Sequence, residues 1–91
     1  VMTMNQWQHV LVTWDGSSSF SNVHIFRNGT EVSYGTRTNG SGSRVNDTVP
    51  LIEIGTGGDA LLFFNGLLDD VRVYNRALSK DEIKRLYNLG R

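Results

Sequence analysis

The stretch 64-FNGLLDDVRVYNRALSKDEIKRLY-87 decides how this chain is read. It opens with Asn65-Gly66, a turn dipeptide, and continues into Leu67 to Tyr74. There Leu67, Val71 and Val73 share one parity while Asp70, Arg72 and Tyr74 share the other, which predicts a strand with one dry and one wet face. A helix follows. Ser79 as N-cap with Glu82 three residues on forms a capping box, and Leu78 and Ile83 sit at hydrophobic-staple spacing. Ile83, Leu86 and Tyr87 line one face of that helix, and Gly90 stops it.

Upstream, Leu51 to Ile54 predicts a short strand stopped by GTGGD at 55–59, and 60–64 is either another short strand or the ascent to a turn. Val23 to Arg27, Asn28-Gly29 and Thr30 to Tyr34 predict a β-hairpin, because Asn-Gly supplies positive φ at both centres of a type I′ turn. Trp7 to Trp14, WQHVLVTW, is β-branched and aromatic on both parities. That pattern predicts a central strand covered on both faces. Thr36 to Thr48 is glycine- and serine-rich, a loop of functional length. Nothing repeats at a fixed period, which argues against a solenoid or propeller.

Ninety-one residues allow one domain with a modest core. Nine lysines and arginines balance nine aspartates and glutamates, so no net field draws the chain to nucleic acid or anionic lipid. Absence of cysteine removes disulfides and thiolate zinc sites. No apolar run reaches membrane-spanning length, and VMTMNQWQHV has no basic segment followed by an apolar core, so no signal peptide is read.

The order WQHVLVTWDG, IFRNGT, LIEIG and FNGLLDDVRVYNRALSKDEI resembles the carboxy-terminal half of laminin-G-like jelly-roll domains, of the concanavalin A-like lectin and glucanase class. The resemblance implies an all-β antiparallel β-sandwich of the jelly-roll type, truncated, with a short C-terminal α-helix. Members of that family are usually about twice this length, so 1–91 reads as a single domain lacking its N-terminal strands. Half a sandwich exposes an apolar face. Either the chain is part of a larger protein, or a second copy covers that face in a homodimer.

The resemblance also implies a non-catalytic binding module on an extracellular or cell-surface protein, with a carbohydrate or protein ligand at the rim loops. These loops are Ser17 to Asn22, Thr36 to Thr48 and Thr56 to Asp59. Trp7, Trp14, Tyr34 and Tyr74 are the candidate sugar-stacking aromatics, with burial in a core as their alternative, as for Phe26. A structural or oligomerising module without a small-molecule ligand is the alternative function. An enzyme is not expected. Adjacent strand residues point to opposite faces, so Asp69 and Asp70 are badly placed to flank one glycosidic bond. The E-x-D-x-x-E strand of the related glucanases is missing.

In the wider class an aspartate placed like Asp69 helps hold calcium, so Asp69 is either a calcium ligand or the cap of a turn. Asp70 is assigned to Arg72 or a turn amide. His9 and His24 lie on different strands without zinc-pair spacing and read as packed, hydrogen-bonded residues. GTGGD lacks the helix and lysine of a phosphate loop. Asn28, Asn39 and Asn46 begin N-x-S/T triplets that turn chemistry explains.

Overall fold

The computed structural model describes residues 2–43, 52–57 and 61–90. The chain forms two compact units, 1–43 with 75–91 and 44–74. In the first, β1 (Val10–Trp14), β2 (Val23–Arg27) and β3 (Thr30–Glu31) make an antiparallel sheet in the order β1-β2-β3, and α1 (Lys80–Leu89) closes the chain. A 3-10 turn, Phe20–Asn22, leads into β2.

The hairpin forms where Asn-Gly predicts it. Asn28 has φ 52° and Gly29 φ 80°, the positive pair a type I′ turn needs. Asn28 also ties the turn to the neighbouring strand: its N–H donates to the His9 carbonyl at 2.8 Å. In return its side-chain oxygen accepts the His9 N–H at 3.0 Å. The β1–β2 ladder is thereby extended by one rung.

Register sets the faces. Leu11 lies opposite Phe26 and Thr13 opposite His24, so these four share one side of the sheet. Leu78 and the stripe of α1 cover that side: Phe26, Leu78 and Ile83 are buried, with Leu11 and Leu86 packed against them. Ile83 is fully buried. The expectation that the first strand is central and covered twice is corrected here. The strand starts at Val10, and Val10, Val12 and Trp14 on the other parity are 51, 59 and 51% exposed. Covering two faces takes two layers, and the first unit supplies one.

The helix start is as predicted. Ser79 accepts the Glu82 N–H at 3.2 Å, and the Glu82 carboxylate accepts the Ser79 N–H at 3.1 Å. Gly90 ends the helix with its N–H on the Leu86 carbonyl. Ser79→Ala removes one half of the box, and a loss of about 0.5–2 kcal/mol is expected in a denaturant melt. An unchanged midpoint would count against the cap.

The second unit departs from expectation. The strand predicted over 67–74 is not formed, and Leu67, Val71 and Val73 are exposed rather than lying on a dry face. The strands predicted at 51–54 and 60–64 reduce, among the described residues, to one antiparallel bridge between Thr56 and Phe63. Gly57 N–H to Leu62 O and Phe64 N–H to Gly55 O, each 2.8 Å, flank it. Alternation prepares a segment for a sheet, but the ladder needs a neighbour's backbone groups.

Candidate functional site

Two of the predicted rim loops are tied together. Gly40 N–H donates to the Ser18 carbonyl at 2.8 Å, and Phe20 N–H donates to the Asn39 side-chain oxygen at 2.9 Å. Arg37 completes the tie. Its guanidinium donates to the carbonyls of Phe20 and Val23 and lies between two rings, 4.0 Å from the Tyr34 centroid and 5.0 Å from that of Phe20. Hydrogen bonding and cation–π attraction act on the same side chain. The described part of the loop, 36–43, is therefore anchored; 44–48 and 58–59 of the predicted rim lie outside the described residues.

At the near edge of this rim, Trp14 Nε1 donates to the Ser17 carbonyl at 2.8 Å, leaving the indole half exposed. Asp15 accepts the Ser17 N–H at 2.9 Å, and the Ser17 hydroxyl and amide hold its carboxyl below the ordinary range. Asn22 Nδ2 donates to Ser17 Oγ at 3.0 Å.

Below the rim, a polar cluster joins the hairpin to the helix. His24 Nδ1 lies 2.6 Å from Glu31 Oε1, which also accepts the Tyr34 hydroxyl at 2.8 Å. The Tyr34 oxygen in turn accepts the Ile25 N–H at 2.8 Å. Lys80 Nζ stands 3.6 Å from Glu31 Oε2. These donors, His24 first and Tyr34 second, hold the Glu31 carboxyl at about 2. At the helix start, the paired N–H groups of Arg76, 2.8 and 2.5 Å away, followed by the Ser79 amide, hold Glu82 at about 2 as well.

Both carboxylates are depressed on folding. The stability they contribute is therefore full above their ordinary value near 4.5 and is lost as pH falls through about 2. Melts at pH 5 and pH 3 should show a drop in the parent that Glu31→Gln and Glu82→Gln each reduce. Salt should shrink the difference, since both pairs are partly exposed. An equal drop in all three proteins would count against these carboxylates as the acid-sensitive groups.

The aromatics nominated from the sequence fall in different settings. Trp7 lies outside the sheet and is exposed, and Tyr74 belongs to the second unit. Tyr34 is a polar hub with Arg37 on its ring. Phe26 is core. His24 is hydrogen-bonded as expected, whereas His9 packs at 6.1 Å against Tyr87 and its buried Nδ1 has no partner among the described residues.

Asp69 Oδ1 accepts the N–H of Asp70 at 2.8 Å, and Asp70 has φ 52°. Among the described residues no three His, Cys, Asp or Glu side chains gather as metal ligands. Also among the described residues, no helix is long and apolar enough to cross a membrane.

The antiparallel sheet and the short C-terminal helix agree with a concanavalin A-like fold class. The chain belongs to the concanavalin A-like lectin/glucanases superfamily, matching its Laminin_G_3 family over residues 1–84. It is 30% identical over 82 residues to adhesion G-protein coupled receptor V1 of Danio rerio, covering 90% of this chain and 1% of the receptor. It also resembles the crystal structure of residues 221–444 of an S-layer domain-containing protein from Clostridium thermocellum, with a TM-score of 0.57 and 24% identity. That similarity covers 96% of this chain and 42% of the other. The chain thus spans under half of either relative.

Proposed function

We propose that this chain is a binding element of an extracellular or cell-surface protein, recognising carbohydrate or glycoconjugate without turning it over. The observation that carries the reading is the tied rim, where two loops cross-linked by backbone and side-chain bonds carry the part-exposed Phe20, next to the end of β1 with the half-exposed Trp14 and the carboxylate of Asp15. Half-exposed aromatic faces stack on sugar rings, and carboxylate and amide oxygens accept hydroxyls. Anchored loops lose little freedom on binding. Membership of a lectin-containing superfamily and similarity to an adhesion receptor support the same reading.

A glycan array followed by saccharide titration tests it. Saturable binding weakened by Trp14→Ala is the expected result, and an array without a single binder would overturn it. Incubation with β-glucans should release no reducing ends.

A second reading, assembly of two copies, is favoured by the exposed parity of Val10, Val12 and Trp14. A two-fold axis that stacks these faces would bury them together. Light scattering at micromolar concentration decides between a dimer and a monomer.

A further inference from the structure

We propose that Asn39 carries an N-linked glycan in a eukaryotic secretory pathway, and that Asn28, which heads a triplet of the same kind, does not. This inference rests on the cell-surface reading above and not on the choice of ligand.

Asn28-Gly29-Thr30 and Asn39-Gly40-Ser41 are equivalent as sequence. The fold separates them. Turn chemistry accounts for Asn28, which holds φ 52° in the type I′ turn, bonds to His9 through both its N–H and its side-chain oxygen, and leads into Thr30, paired with Arg27 in the ladder. Gly29 between them is buried, with Tyr87 against it. A glycan on Asn28 would have to grow out of a packed corner.

Turn chemistry does not account for Asn39. The described asparagines with positive φ are Asn5 and Asn28, and 36–41 lies outside helix, strand and turn. Asn39, Gly40 and Ser41 are all exposed. An open surface loop is the setting in which such a triplet serves as an acceptor. The third triplet, at Asn46, lies outside the described residues.

Asn39 has one duty in the fold, and it engages only half of the amide: Oδ1 accepts the Phe20 N–H at 2.9 Å. An aspartate oxygen would serve as well. The second bond of the rim tie comes from the Gly40 backbone, whose N–H reaches the Ser18 carbonyl at 2.8 Å, and does not call on the Ser41 side chain. The amide nitrogen at 39 and the hydroxyl at 41, the two groups that the modification requires, are thus the two that the tie does not use.

In the transfer, Asn39 Nδ2 attacks the anomeric carbon of a lipid-diphosphate-linked oligosaccharide. The nitrogen–carbon bond forms, the bond from that carbon to the diphosphate oxygen breaks, the lipid diphosphate leaves with the electron pair, and one Nδ2 proton passes to a base of the transferase. Oδ1 keeps its lone pairs, so the bond to the Phe20 N–H survives.

The chain, expressed behind a secretory leader in animal cells, tests this. Peptides from the secreted and the cell-retained protein are read by mass spectrometry after enzymatic glycan release, which leaves an aspartate wherever a glycan stood. Release in heavy-oxygen water keeps asparagines that had already deamidated out of the count. Most of the Asn39 should be converted, and none of the Asn28. Ser41→Ala keeps Asn39 and its bond to Phe20 yet should abolish occupancy, and Asn39→Asp keeps the oxygen and should do the same. Both variants, made without glycans in bacteria, should melt with the parent, which separates loss of the glycan from loss of the fold.

A bare Asn39 in both pools would overturn the proposal. So would a glycan on Asn28, or occupancy of Asn39 that persists in Ser41→Ala. Saccharide binding is read on the bacterial protein, so neither result depends on the outcome of the glycan array.

Discussion

Phe26→Ala should cost about 3–5 kcal/mol, the range for removing a buried aromatic from a packed core. At roughly 0.05–0.15 kcal/mol per residue, total stability is about 5–14 kcal/mol, so the substitution removes a large share of it. Phe26 is 4% exposed and joins β2 to Leu78 and Ile83, with Leu11 opposite it in the register. Its ring is the shared wall between sheet and helix. Val12→Ala is the matched control, because Val12 lies on the exposed parity of β1 and should change stability by no more than about 0.5 kcal/mol. Urea melts followed by circular dichroism measure both. Equal midpoints for the two variants would mean that the core lies elsewhere.

Gly29→Ala should be the second large loss, about 1–2 kcal/mol from the left-handed backbone alone. The glycine holds φ 80°, and an added Cβ would stand 3.2 Å from Tyr87 Cδ1 and 3.5 Å from Tyr87 Cβ. Strain and crowding act at one point, where the hairpin turn touches the helix. Gly35→Ala meets nothing within 4 Å and should be close to neutral. Thermal melts of the pair test the argument, and a Gly29→Ala protein as stable as Gly35→Ala would refute it. Gly29→Val should be worse, since a branched side chain tolerates positive φ poorly and presses further on the ring.

Much of the candidate site was hidden in the sequence for a geometric reason. A two-residue turn at Asn28 and Gly29 sets His24 and Glu31 on the same face, one diagonal step apart, so their pairing could be found by counting back from the turn. Arg37 is different. Its place between Phe20 and Tyr34 depends on a loop folding back over the rim, and no spacing in the sequence encodes that. Reading the aromatics as stacking platforms also left out what their polar ends do. Tyr34 takes one backbone N–H and gives its own proton to Glu31.

The hairpin turn and the helix cap were legible because each closes over a few residues. Asn28-Gly29 takes positive φ at both residues, as a two-residue hairpin turn requires, and Ser79 reaches the Glu82 amide along the same turn of chain. The family, too, is carried by the linear order of such pieces. The covered face of β1 was not legible, since WQHVLVTW is apolar on both parities and either could have been buried. Docking of Leu78 and Ile83 onto Phe26 made the choice, and it took Leu11 and Thr13 inward while Val12 and Trp14 stayed exposed. The same logic explains 67–74. Its alternation is a property of one segment, but a strand exists only when a second backbone lies beside it to take its N–H and C=O groups, and that is decided by the packing of the whole fold.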